Sequence, residues 1–264
     1  MEYRSITCDS LIKRITTTDT LFNGKYCVDP YQNCEFGCLY CDSSFDKTIY
    51  VKTNAGTILE KELDQLEKGV IIIGSVHDPY QKAEEKYEIT KNLLKTIKKY
   101  PFSCHILTKS NLVLRDIDLL SEMQCVVTIS ITSLDKNITH IFEENAPSSK
   151  ERLQTVETLI EHGIKTGLAL MPVLPFIVES ELEDVVKAAN SSNVQYLLHK
   201  HLELKGDQKR IFKDIIQNHY PHLLSKYDEL YKDEFKPDEK YIVKLDKKMH
   251  KLCKKYNIPE RILQ

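Results

Sequence analysis

Residues 29–42 read Asp29-Pro30-Tyr31-Gln32-Asn33-Cys34-Glu35-Phe36-Gly37-Cys38-Leu39-Tyr40-Cys41-Asp42, which places three cysteines at C-x3-C-x2-C with a glycine and aromatic residues between them. Three thiolates this close along a chain can hold three irons of a [4Fe-4S] cluster while the fourth iron has no protein ligand. Protein-bound clusters ordinarily take four cysteines. A missing fourth therefore means a ligand from elsewhere in the chain or an iron kept open, and an open position marks a catalytic rather than a structural metal site. The same run could be half of a zinc site, whose other half is a second Cys/His pair at short spacing. No such pair follows: Cys8, Cys27, Cys104, Cys125 and Cys253 are scattered singly. Cys27, seven residues before Cys34, could close a four-cysteine cluster used only for electron transfer. Spacing alone leaves that alternative open.

A chain of 264 residues can bury a substantial core, and the length suits one αβ barrel-type domain with additions. Charged residues make up 29% and the net charge is −2, so no strong overall attraction draws it to nucleic acid or an anionic membrane. Local basic stretches remain at His199-Lys200-His201 and in the lysine-rich 232–255 segment. Their charges alternate with acids, as on solvated helix faces. No apolar run approaches the roughly 20 residues of a membrane span, and no signal-peptide core follows Met1. Eight cysteines without paired spacing point to a reducing cytoplasm, where thiols bind metal or stay reduced.

The rest of the chain alternates strand and helix about six times. Residues 1–24 are polar and Thr-rich and read as a lead-in covering one side of the domain. Residues 25–200 form the core, opening with a short strand at 25–29, and 201–264 a helical extension whose last stripe is Ile242, Leu245, Met249 and Leu252. Residues 48–53 alternate as a short strand. Apolar runs at 70–74, 104–108, 125–131, 164–170 and 194–199 read as buried parallel strands. Helices fall at 84–99, with Ile89, Leu93, Leu94 and Ile97 inward, and at 111–122. Capping boxes at Thr57/Glu60, Ser148/Glu151 and Ser180/Glu183 start three more. The second of these turns Leu153, Val156, Leu159 and Ile160 inward and ends at Gly163; the third turns in Leu182, Val185, Val186 and Ala189. Such alternation implies parallel strands joined by right-handed crossovers. A partial (β/α)6 barrel fits, as does a flavodoxin-like doubly wound sheet, and both put the site at the C-terminal ends of the strands.

Polar residues gather at those ends: Gly74-Ser75-Val76-His77-Asp78 after the second strand, Thr108-Lys109-Ser110 after the third, Ser130 to Ser133 after the fourth, and Met171-Pro172 after the fifth. Gly74 would let backbone approach a ligand. Lys109 offers a cation for a carboxylate, Ser130 and Ser133 offer donors, and Asp78 could accept ribose hydroxyls or face a substrate. His77 reads equally as an acid/base or a loop histidine. Glu35 and Asp42, beside cysteines, read as turn caps.

The cysteine spacing resembles the signature of radical S-adenosylmethionine (SAM) enzymes. Four phrases are similar to the spore photoproduct lyase-like branch of that family: Asp29-Pro-Tyr-Gln with Cys34 to Cys41, Gly74-Ser-Val-His-Asp-Pro-Tyr-Gln81, Leu107-Thr-Lys-Ser110, and Ser130-Ile-Thr-Ser-Leu-Asp135. The resemblance runs from about Asp29 to Met171 and more loosely beyond. It implies a partial barrel, a cluster on Cys34, Cys38 and Cys41, SAM on its open iron, and an external flavodoxin- or ferredoxin-type reductant. It further implies that Lys109 and Ser130 bind SAM, that Tyr40 lies by the adenine, and that Met171 lines the adenine site through its backbone. Two family features are missing. Spore photoproduct lyases carry a hydrogen-donating cysteine at the end of strand two, where this chain has Ile72-Ile-Gly74-Ser75-Val. They also carry a tyrosine after the third cluster cysteine, where this chain has Asp42. The resemblance thus implies SAM cleavage without spore photoproduct repair, and leaves the substrate open among nucleic acid, peptide and small metabolite.

Overall fold

The computed structural model describes residues 1–42 and 47–262. Six strands form its frame: β3 (Tyr26–Val28), β6 (Val70–Ile73), β7 (Ser103–Thr108), β8 (Cys125–Ile131), β9 (Lys165–Val173) and β10 (Leu197–His201). All run parallel and pair in chain order. On the far side of β3 lies the antiparallel β2 (Lys13–Arg14) rather than β10, so the barrel stays open. This is the partial (β/α)6 arrangement that the sequence resemblance implies, not a doubly wound sheet with its reversal of strand order.

The strands alternate between a helix-facing and a concave surface. Helix-facing Ile71, Ile73, Ile106, Val127, Ile129, Leu168 and Leu170 are fully buried, each gaining about 25 cal/mol per Å² of apolar surface removed from water. The concave side contains a polar relay in which His105 Nε2 lies 2.6 Å from Thr128 Oγ1, itself 2.6 Å from the Tyr196 hydroxyl. Gly167 makes room for that ring, since a Cβ there would stand 2.3 Å from Tyr196 Cε2.

A second sheet lies outside the barrel. It joins β1 (Glu2–Ile6), β5 (Thr48–Lys52) and β4 (Tyr31–Gln32), with β1 parallel to β5. The lead-in thus contains a five-residue strand that its polar sequence conceals: β1 buries no residue fully, so it carries no apolar alternation to read.

Helix boundaries test the capping readings. Ser148 and Glu151 form the expected box at the start of α6 (Ser149–Glu161), and Gly163 follows its end at φ +75°. The other two boxes do not form. Helix α1 (Ala55–Leu63) begins after Asn54, placing Thr57 inside it, and Asn54 uses its amide on Cys8 N and O instead. Helix α7 (Leu182–Ser191) begins after Glu181, with Leu182, Val185, Val186 and Ala189 buried as expected.

Residues 84–99 divide into α2 (Ala83–Tyr87) and α3 (Ile89–Ile97) at Glu88, whose φ is +48°. The buried Glu84 carboxylate drives the break by accepting from the N–H groups of Thr90 and Lys91 at 2.9 and 3.1 Å. Likewise 111–122 is a 3-10 turn (Asn111–Asp116) followed by α4 (Ile117–Ser121). Helix α5 (Lys136–Phe142) precedes α6, and α8 (Gln208–His219), α9 (Leu224–Tyr231) and α10 (Glu239–Lys255) complete the chain. The buried stripe of α10 is Leu245, Met249 and Cys253, displaced from Ile242 and Leu252. No described helix is long and apolar enough to cross a membrane.

Candidate active site

The loop from β4 to β5 lies over the C-terminal strand ends and is fastened on several sides. Gln81, fully buried, accepts from Glu35 N at 2.9 Å and donates to Asn33 O at 3.1 Å. Glu35 accepts from the Tyr3 hydroxyl and from Ala83 N, both at 2.6 Å, which makes it the turn-fixing residue expected. Leu39 N donates to Phe142 O and Cys41 N to Cys38 O, each at 2.9 Å, while Gln208 holds Leu39 O. Gly37 supplies the positive φ (+59°) that the turn requires. Asp42 is exposed, and residues 43–46 after it lie outside the described part of the chain.

This anchoring brings Cys34, Cys38 and Cys41 to one cavity of about 140 Å³, whose other walls include Tyr40, Gly74, Ser75, Asp78, Lys109, Ser130 and Met171. Every residue expected at the site except Ser133 is therefore in this one wall. None of the three cysteines is in a disulfide. Burial pushes the Cys38 thiol up to about 12 even against the pull of Lys109, and burial likewise raises Cys34. Three soft sulfur donors in one enclosed cavity are the donor set of an iron–sulfur cluster. Among the described residues no three His, Cys, Asp or Glu side chains close on a single ion; a cubane spreads its ligands over three irons, so both facts are compatible. Cys27 is not in this wall. It lies in β3 opposite Ile72, its thiol bonded to Ser75 and raised by burial.

Lys109 and Ser130 come from adjacent strand ends. Lys109 Nζ donates to Ser130 Oγ at 3.1 Å, and Ser130 Oγ donates to Met171 O at 3.2 Å. The ammonium is 5.9 Å above the Tyr40 ring, a cation–π distance. Burial alone would lower the Lys109 pKa, but Cys38 and Glu143 outweigh it and hold the ammonium above its ordinary value. Two charged residues that the sequence pattern does not mark lie behind this wall, against Tyr40, Lys109 and Ser130. Glu143 and Arg152 have no side-chain exposure and lie 2.6 Å apart, and the Tyr40 hydroxyl donates to Glu143 Oε1. Arg152 occupies a core position of α6, whereas Leu153 and Ile160, expected inward, are only half-buried. An arginine is buried this far only when paired, and its partner is 9 residues away in sequence, just past the end of α5, where no periodicity reveals it.

Three expected roles change. The space at Gly74 (φ +88°) is filled by the chain itself, because a Cβ would stand 2.4 Å from Pro79 Cδ and 2.6 Å from Leu107 O. Asp78 has its carboxylate engaged internally: Oδ1 accepts from Thr108 Oγ1 at 2.6 Å and Tyr80 N at 2.9 Å, and Oδ2 from Lys109 N at 2.7 Å. It orders the strand ends rather than standing ready for a substrate. Ser133 turns away and donates to Glu181 Oε1, because Glu181 also accepts from Leu134 N and so holds this loop. Asp29 similarly orders the loop after β6, accepting from Val76 N and His77 N at 3.1 and 3.2 Å. His77 lies outside both cavities, its pKa lowered by burial.

A second chamber of about 340 Å³ shares Tyr40, Cys41, Ser75, Leu107 and Met171 with the first. Its own walls pair apolar Leu21, Phe22, Pro172 and Leu202 with charged Lys200, His201, Glu203 and Lys205. Glu203 lies 3.1 Å from Lys200 and 3.0 Å from Lys205. The lysine-rich stretch, in contrast, forms a wide open groove on the exposed face of α10, through Lys240, Lys244, Lys247, Lys248 and Lys251, apart from both chambers.

The comparisons agree with this geometry. Residues 28–189 match the family model described as the Radical SAM superfamily. An uncharacterized protein of Methanocaldococcus jannaschii is 30% identical over 205 residues, covering 75% of this chain and 77% of its own. A solved spore photoproduct lyase complexed with dinucleoside spore photoproduct superposes with a TM-score of 0.73 at 15% identity, over 98% of this chain and 80% of that one. A mutant spore photoproduct lyase with bound AdoMet and the same dinucleoside gives 0.71 at 15% identity, over 93% and 78%. The open six-stranded barrel, the three cysteines on one cavity and the match across most of the core lead to one conclusion: this chain belongs to the radical SAM superfamily and has the spore photoproduct lyase fold.

Proposed function

We propose that the protein is a radical SAM enzyme that abstracts hydrogen from a substrate other than spore photoproduct. The observation that carries this reading is the convergence of Cys34, Cys38 and Cys41 on one cavity with Lys109 and Ser130 from two other strand ends. The three cysteines would hold a [4Fe-4S] cluster. When bound, that cluster would supply the single electron for reductive cleavage of SAM at its C5′–S bond, the chemistry that starts hydrogen abstraction. The chain's own part is positioning and exclusion of water. Lys109 and Ser130 take the SAM carboxylate, Tyr40 and the Met171 backbone flank the adenine, and Ser75 edges the passage between chambers. The inner cavity alone is smaller than the roughly 300–1,000 Å³ of ligand pockets, so a bound nucleoside reaches into the outer chamber. The remaining outer space, apolar at Phe22 and Met171 and charged at Lys200 and His201, receives the substrate. An external one-electron donor of the flavodoxin or ferredoxin kind, in a reducing cytoplasm, completes the scheme.

Anaerobically reconstituted protein with dithionite and SAM is expected to release 5′-deoxyadenosine, and the Cys34/Cys38/Cys41→Ala triple variant to release none. Equal output from both would sink the proposal. The rival reading, a four-cysteine cluster without catalysis, requires Cys27 as ligand. Its absence from the cavity wall favours an open iron, so Cys27→Ala should retain full iron content and a SAM-sensitive electron paramagnetic resonance spectrum.

A further inference from the structure

Arg152 is placed where an apolar side chain would serve stability at least as well, since a buried ion pair is costly to desolvate. Its guanidinium has three attachments: Nη2 is 2.6 Å from Glu143 Oε2, Nε donates to Pro147 O at 2.7 Å, and Nη1 to Ser130 O at 3.1 Å. Glu143 Oε1 accepts from Thr132 Oγ1 at 2.9 Å and from the Tyr40 hydroxyl. Lys109 Nζ stands 3.9 Å from that same oxygen, beyond hydrogen-bond distance. One carboxylate thus faces two cations, and Arg152 has the closer hold. Arg152, Lys109 and Glu143 together carry one net positive charge beside the cysteine cavity, with the Asp78 carboxylate, bonded to Lys109 N, in the same wall.

We propose that Arg152 is a positioning residue for this cavity. By occupying Glu143 it leaves the charge of Lys109 for a ligand carboxylate, and through the Ser130 carbonyl it fixes the serine whose hydroxyl stands beside that ammonium. Without Arg152, Glu143 keeps Lys109 as its one nearby cation and draws it from 3.9 Å into a closer internal pair that a ligand carboxylate must break. Glu143 also ties Tyr40, and with it the cysteine loop, to the ends of β7 and β8. The inference rests on Lys109 being the partner of the SAM carboxylate.

The test is equilibrium binding to reconstituted holoprotein of SAM and of decarboxylated SAM, which lacks only the carboxylate. Arg152→Gln is expected to weaken SAM about tenfold or more, the scale of one partly buried charge contact, while decarboxylated SAM changes little. The double variant Arg152→Gln/Glu143→Gln is expected to recover SAM binding to within about threefold of the parent, because the competing carboxylate is gone. Wild-type discrimination in Arg152→Gln, or a double variant as weak as the single, overturns the proposal. Thermal melts and iron content establish that each variant folds. If Arg152→Gln does not, Glu143→Gln alone decides: it keeps hydrogen-bonding groups while removing the charge, so SAM binds as well or more tightly, and weaker binding overturns the proposal. Lys109→Gln separates the two levels. If it keeps the preference for SAM over decarboxylated SAM, the assignment of Lys109 fails; if it loses that preference and Arg152→Gln does not, only the role of Arg152 fails.

Discussion

Replacing Gly74 by alanine distinguishes a glycine kept for a ligand from one kept for the chain's own packing. At φ +88° any side chain is strained, by roughly 1–2 kcal/mol on the scale of left-handed backbone. The new Cβ would also stand 2.4 Å from Pro79 Cδ and 2.6 Å from Leu107 O. The second of these is backbone in the middle of the parallel sheet and cannot give, so an overpacking cost of about 1–3 kcal/mol is added. The total, roughly 2–5 kcal/mol, corresponds to a fall in melting temperature of about 5–15 °C for a chain of this size. The assay is thermal or urea unfolding of the protein without cofactor. Relief of the clash pushes out Pro79 and, with it, Asp78, which holds Lys109 N and Thr108 Oγ1 at 2.7 and 2.6 Å; SAM affinity of the holoprotein should fall in step. If Gly74→Ala melts within about 2 °C of the parent and loses only SAM binding, the packing argument is wrong and the glycine serves the ligand.

Ser133→Ala should leave SAM affinity unchanged and cost about 1–2 kcal/mol of stability through its lost bonds to Glu181 and Asp135 N; a drop in SAM affinity would return Ser133 to the site. Burial lowers the pKa of His105 to about 4, below its unfolded value of about 6.5. The unfolded chain therefore binds the extra proton first on acidification. The contribution of His105 is complete above about pH 6.5 and is lost as pH falls towards 4, by up to roughly 3 kcal/mol. The total fall in unfolding free energy between pH 6.5 and 4 should be smaller by that amount in His105→Gln, and an unchanged fall refutes the assignment.

The sequence by itself determined the parallel alternation, the cysteine triad and the polar strand ends. Each rests on a local pattern: apolar runs such as 70–73 and 125–131, thiols three and four residues apart, and a wet loop after each buried strand. Local capping was legible only where both members of the box bond each other, as at Ser148 and Glu151; the acids of the other two boxes, Glu60 and Glu183, are engaged instead by Lys99 and Lys255, partners 39 and 72 residues distant. Tertiary structure alone decided which polar residues face the cavity. Ser130 and Ser133 look alike in sequence, yet one faces Lys109 and the other Glu181, because side-chain direction at a strand end depends on the pleat and the loop that follows. It alone decided, too, that Gly74 accommodates Pro79, that Asp78 is consumed in bonding, and that Arg152 and Glu143 meet. A buried charge is stable only beside its counter-charge, and that adjacency arises from the fold's crossing of elements, which no spacing along the chain records.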